Sequence, residues 1–123
     1  MLRLILFLSI PCVLALMFFS EKSKDSPQSL MEQHLWQDEV MLVFHDEAHR
    51  DDYEMQMRSV RDDARYVVYD IAHMHSVARK GITLPHMPAT YFYEAFDVNP
   101  QQFMVILLRK DGTEAMRSPK PIL

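Results

Sequence analysis

The chain of 123 residues is nearly without cysteine and glycine, with one Cys and two Gly. Cys12 lies in the apolar run that opens the chain, so no thiol follows it. That excludes an internal disulfide, a Cys-ligated zinc and thiol-based catalysis. So little glycine excludes a collagen-like chain, and apolar and aromatic residues throughout exclude a disordered one. A basic surplus is also lacking: 13 Lys and Arg face 17 Asp and Glu, for a net charge of −4. A nucleic-acid binder needs a basic face to displace counterions, so no nucleic-acid partner is expected. The acid is concentrated early, at Asp38, Glu39, Asp46, Glu47, Asp51, Asp52 and Glu54 against Arg50 alone. It reads as a solvated face.

What is present begins with an export signal. Sixteen of the first twenty positions are apolar. Met1-Leu2-Arg3 is a short positive region, and residues 4–19 form the apolar region that follows it. Such a run is short for a membrane span, which takes about 20 residues, and Pro11 would kink it. Ser20 suits the position before a cleavage site, whereas Phe18 is bulky for its place. Residues 1–20 are therefore a signal peptide or, uncleaved, a signal anchor. Ile10-Pro11-Cys12 is a poor lipoprotein box. The expectation is an exported protein, periplasmic or extracellular, anchored to the inner membrane by residues 4–19 if that segment is uncleaved.

Residues 21–35 are polar at first, with Pro27, and read as a linker. The domain is expected over 36–119, with 120–123 as a tail. About 100 residues can bury one core, at roughly 60–65% of the unfolded surface. Val40-Met41-Leu42-Val43-Phe44 is a continuous apolar run, the pattern of a strand buried on both faces. Trp36 is expected to pack at the end of its sheet. Tyr53, Met57, Val60 and Ala64 recur at helical spacing, with Asp51 and Asp52 complementing the helix dipole. Residues 66–71 form a second β-rich run, giving a βαβ unit with a parallel pair. Residues 74–80 read as a helical turn closed by Gly81, and 84–88 as a loop. Pro88 then opens a helix that buries Tyr91, Phe92, Ala95 and Phe96, leaving Tyr93 exposed. Residues 103–108 and 113–118 are strands joined by a hairpin turn at Asp111-Gly112. The order is β-α-β-α-β-β, an α/β sheet with flanking helices.

Three stretches together resemble a known family. They are Val40–Phe44 leading to Arg50-Asp51-Asp52-Tyr53; Asp62-Asp63-Ala64-Arg65 leading into Tyr66–Asp70; and Phe96-Asp97-Val98-Asn99-Pro100 running into Phe103–Leu108, then Arg109-Lys110-Asp111-Gly112 and Arg117-Ser118. In order and spacing, over residues 36–119, they are similar to the bacterial exported proteins of domain of unknown function family 4174. The resemblance implies a thioredoxin- or peroxiredoxin-like fold and export, and the family also occurs as a module in animal extracellular-matrix proteins. It supplies no catalytic residue. Family members continue into a last helix after the Ser-Pro region, and here Leu123 is reached without one. A partner covering that sheet face, or a less stable domain, is the expected consequence. Pro100 lies too far ahead of the third strand to match the thioredoxin cis-proline.

In thiol enzymes of that fold the reactive cysteine follows the first strand. Here His45-Asp46-Glu47-Ala48-His49 takes that place. His45 and His49 are four apart, and His73 and His75 bracket Met74 after the second strand. His86 and Met87 follow. Both groups of histidines fall at the carboxyl ends of the parallel strands, where open α/β sheets bind ligands. Imidazole suits copper(II) and zinc, so a metal site of His45, His49, His73 and His75 is the sharper alternative. Two histidines four apart are, however, commonly plain surface residues, and no His-Glu-x-x-His is present. Met41, Met57 and Met104 read as packing. The nearest hydroxyls, Tyr53 and Ser59, read as structural, and no Gly-x-Ser-x-Gly is present, so a hydrolytic enzyme is not expected. The sequence-based reading is a non-thiol, exported thioredoxin-like domain with a binding or structural role toward a protein or envelope partner. It has no catalytic residues and no cofactor, with a copper- or zinc-binding envelope protein as the alternative.

Overall fold

The computed structural model describes residues 26–60 and 65–122. Three α-helices and six strands occupy them: α1 (Pro27–Glu32), β1 (Glu39–His45), α2 (Arg50–Val60), β2 (Tyr66–Ala72), β3 (Ser76–Arg79), β4 (Ile82–Pro88), α3 (Ala89–Ala95), β5 (Met104–Leu108) and β6 (Glu114–Ser118). A 3₁₀ turn over Glu47–His49 leads into α2. The strands form one mixed α/β sheet in the order β4-β3-β2-β1-β5-β6. β1 and β2 are parallel, and every other neighbouring pair is antiparallel.

β1 is the axis of the sheet. Its central five residues, Val40–Phe44, are all buried, because helices cover both faces. Alternation along the strand splits the core in two. Val40, Leu42 and Phe44 face one layer, where Ile71, Phe92 and Ile106 join them and Leu30, Met31 and Phe96 pack on top. Met41 and Val43 face the other layer with Phe103, Val105 and Leu107, beneath Tyr53, Met57 and Val60 of α2. The helical stripe read from the sequence is thus the face α2 turns to the sheet, and Ala64 lies outside the described residues. Gln56, on the same helix, is fully buried as well.

The β5–β6 hairpin forms as expected. Gly112 sits at φ +87°, in the left-handed region, and its N–H donates to the Arg109 carbonyl at 2.9 Å. Asp111 Oδ1 accepts from the Thr113 N–H at 2.9 Å and fixes the turn.

Four expectations are corrected. Residues 74–80 and 84–88 are not a helical turn and a loop; they hold the β3–β4 hairpin at one sheet edge. Lys80 and Gly81 both have positive φ, 52° and 77°, which is a two-residue turn whose twist suits a hairpin. Pro85 is tolerated because β4 is an edge strand. Secondly, α3 starts one residue later than the stripe assumed. It turns Ala89, Phe92 and Tyr93 inward, and leaves Tyr91 and Ala95 exposed. Thirdly, Trp36 is 76% exposed instead of packed at the sheet end, although its main-chain N–H donates to the Lys110 carbonyl at 2.6 Å. Lastly, part of the expected linker is structured. Ser26 caps α1, Pro27 fits its first turn, and Leu30 and Met31 pack on the core. The expected signal segment lies outside the described residues. Among those described, no helix is long and apolar enough to cross a membrane.

Candidate ligand cleft at the carboxyl ends of the parallel strands

β1 and β2 end side by side, with His45 paired to Ala72. The chain leaves β1 through the 3₁₀ turn, which Asp46 caps by accepting the His49 N–H at 3.1 Å. It leaves β2 through a tight turn in which Met74 is left-handed and the His75 N–H returns to the Ala72 carbonyl at 2.9 Å. The His73 N–H donates to the His45 carbonyl at 2.8 Å and joins the two exits. Ala89, opening α3, donates to the His75 carbonyl at 2.8 Å and holds the second exit from behind. Between the exits lies a cleft of about 260 Å³ lined by His45, Asp46, Glu47, Tyr53, His73 and His75, with Arg50 at its edge.

One wall is a three-residue unit. His45 Nε2 hydrogen-bonds Asp70 Oδ1, and the Tyr53 hydroxyl donates to Asp70 Oδ2 at 2.5 Å. The His45 and Tyr53 rings stack at 3.8 Å. All three residues sit on the α2 side of the sheet, as the two-residue strand period requires. A carboxylate only accepts, so His45 Nε2 is the donor of this bond. Burial pushes the Tyr53 phenol well above its usual range, and its bond to Asp70 and the charges of Asp70 and Glu54 add to this. Tyr53 is therefore a donor throughout the physiological range.

The second wall centres on Asp46, whose Oδ1 lies 2.6 Å from His49 Nδ1. Burial of this carboxyl works to raise its pKa, but the hydrogen bonds and charge of His49, with the charge of His73, hold it below the usual value. By the same donor logic, His49 Nδ1 is the donor of its bond to Asp46. Tyr93 underlies both walls. Its hydroxyl donates to the His45 carbonyl at 3.3 Å and its ring meets His73 edge-on at 5.7 Å. Burial, then the charge of Asp46, raises its phenol well above the ordinary value.

The residues singled out in the sequence are thus brought together in part. His45, His73 and His75 line the cleft, whereas His49 is not among its lining residues and only hydrogen-bonds Asp46, which is. Among the described residues no group of three or more His, Cys, Asp or Glu is placed to hold a metal ion. Residues 73–75 are a turn and not an extended segment. His86 is exposed on β4, and Met87 is buried in the core. Ser59 donates to the Gln56 carbonyl at 2.8 Å, so its hydroxyl is engaged in α2. The sixth histidine, His34, is buried elsewhere, between Tyr69 Oη at 2.6 Å and Asp38 Oδ2 at 2.8 Å. It ties the end of α1 to β2.

Asp70, Tyr53 and Tyr93 were not legible as site residues. Asp70 carried the only signal, a lone acid inside an apolar strand. A larger groove of about 400 Å³ lies between α1 and the β5–β6 turn, where Met31, Leu35, Phe96 and Leu108 line it and the only ionisable groups are Glu32 and Asp111. It lacks the convergent polar groups of the cleft. No family model matches the chain, and neither the curated proteins nor the solved structures yield a match.

Proposed function

We propose that this chain is an exported, thioredoxin-like binding domain without thiol chemistry, whose ligand is a small polar molecule held in the cleft at the ends of β1 and β2. One observation carries the reading. The segment after β1, where a thiol enzyme of this class keeps its cysteine, is His45–His49, and its His45, Asp46 and Glu47 share one cleft with His73 and His75. That is the crevice beyond the carboxyl ends of parallel strands, the usual ligand site of open α/β sheets. Apart from the β3–β4 hairpin, the elements from β1 onward run β1-α2-β2-α3-β5-β6, the order expected of a thioredoxin-like core. The likeness to domain of unknown function family 4174, which rests on order and spacing, supports the same reading. Export rests on residues 1–20. An alkaline phosphatase fused after residue 35 is expected to be active outside the cytoplasm, and an inactive fusion would remove the export claim.

A copper or zinc ion is the second reading, and one feature favours it. His45 and His49 each lean one ring nitrogen on an aspartate. Metal-binding histidines characteristically do this, which fixes the tautomer and leaves the other nitrogen for the metal.

Thermal unfolding of the untagged chain, with small acids, amines and amides and separately with Zn(II) and Cu(II), tests both. A ligand at 100 times its Kd stabilises by about 2.7 kcal/mol. The binding reading expects a compound from the panel to raise Tm in the wild type and not in His73→Ala. The metal reading expects Zn(II) or Cu(II) to do so, with loss in His45→Ala. Panels that leave Tm unchanged, or that shift wild type and His73→Ala equally, contradict the cleft as the site.

A further inference from the structure

Gln56 is fully buried in α2, a position where a polar side chain must find partners. Its partners come from 66 residues away. The Ile122 N–H donates to Oε1 at 2.5 Å, and Nε2 donates to the Ile122 carbonyl at 3.0 Å. Nε2 also reaches Ser59 Oγ at 3.2 Å and Met41 Sδ at 3.7 Å. Ser59 Oγ in turn lies 3.4 Å from the same carbonyl. A side-chain amide that engages both main-chain groups of one residue copies the exchange between two paired strand residues. The Ile122 side chain meanwhile packs on the apolar layer of Met41, Val43, Phe103 and Val105. Ser118 shapes the approach, its Oγ accepting the Lys120 N–H at 3.2 Å and donating to the Lys120 carbonyl at 2.8 Å.

Two independent requirements therefore meet at one place. The main chain must be extended, with N–H and C=O of a single residue facing α2. The side chain of that residue must be apolar enough for the layer beneath. Neither requirement is specific to a covalently attached segment. Once vacated, the place would leave Gln56 Oε1 without its donor and Nε2 with Ser59 Oγ and Met41 Sδ alone.

We propose that Gln56 and the apolar layer beside it form a recognition site for an extended peptide carrying a branched aliphatic residue, occupied in cis by Ile122. The amide reads the peptide main chain, and the layer of Met41, Val43, Phe103 and Val105 reads the side chain. A peptide in trans gains the site only when Ile122 is unseated.

The test uses the full chain and a fluorescent peptide, Ser-Pro-Lys-Pro-Ile-Leu, followed by anisotropy. Ile122→Asp is expected to bind the peptide at least tenfold more tightly than wild type. Adding Gln56→Leu to Ile122→Asp should abolish the gain. Methylation of the peptide's Ile nitrogen should abolish it too, since that removes the donor and keeps the apolar side chain. Equal binding by wild type and a folded Ile122→Asp, or indifference to the methylation, overturns the proposal. If Ile122→Asp does not fold, Ile122→Gly takes its place in the same titration. Hydrogen exchange at the Ile122 amide in the wild type is an independent check: protection is expected, and exchange at the rate of an open chain overturns the proposal.

Discussion

The Tyr53 hydroxyl donates to Asp70 at 2.5 Å, a bond that ties α2 to β2 and closes one wall of the cleft. The same carboxylate takes His45 on its other oxygen, so Asp70 fixes both the helix and the imidazole. Tyr53→Phe removes the donor and keeps the ring stacked on His45. A hydrogen bond to a charged group is worth about 1.5–3 kcal/mol, and Asp70 is partly open to water, which places the expected loss near the lower figure, about 1.5 kcal/mol. Urea unfolding measures it. An unchanged midpoint would show that the bond does not hold α2 in place.

Alkaline pH should unfold the protein through its phenols. Tyr53 and Tyr93 are raised well above their usual range, chiefly by burial, and Tyr69 is raised by burial in spite of Arg79. The folded state therefore keeps protons that the unfolded chain releases above about pH 10. Their stabilisation is complete below that pH and falls as pH rises through the folded values. Phenolate absorbance and circular dichroism, followed together, should show three of the five tyrosines ionising only as the fold opens. Ionisation of all five ahead of the loss of secondary structure would contradict it.

The β3–β4 turn makes a gain of stability available. Lys80 holds φ 52° before Gly81, and asparagine tolerates that conformation far better than lysine. Lys80→Asn is expected to raise stability by about 0.5–1 kcal/mol. A helical turn here, as the sequence suggests, would instead be weakened by asparagine, and a lowered unfolding midpoint would favour it.

The phase of α3 separates two neighbouring aromatics. Phe92 is fully buried and Tyr91 is 46% exposed. Phe92→Ala should cost about 3–5 kcal/mol, whereas Tyr91→Ala should stay within about 0.5 kcal/mol. Equal losses in calorimetry would mean that the helix turns a different face inward.

These two regions show where the sequence stops being legible. β1 was readable because a strand covered on both faces needs an unbroken apolar run, and Val40–Phe44 supplies one. The face of α2 and the Asp111-Gly112 turn were readable for equally local reasons. The β3–β4 hairpin was not, because edge strands expose most positions and lose their alternation, and its turn is Lys-Gly where Asn-Gly would have signalled it. In the cleft, His45, His73 and His75 could be found because the ends of parallel strands are where ligands sit. Asp70 could not, because its partners His45 and Tyr53 lie 25 and 17 residues away and only the strand register brings them together. Gln56 was hidden for the same reason, since nothing near it in sequence announces Ile122.

The most direct test of the cleft is a backbone amide shift map of the ¹⁵N-labelled chain against small water-soluble acids, amines and amides. Compounds that bind are expected to shift residues 45–50 and 72–75, and His73→Ala to remove those shifts. Shifts confined to 27–35 and 95–112, the apolar groove beside α1, would contradict it.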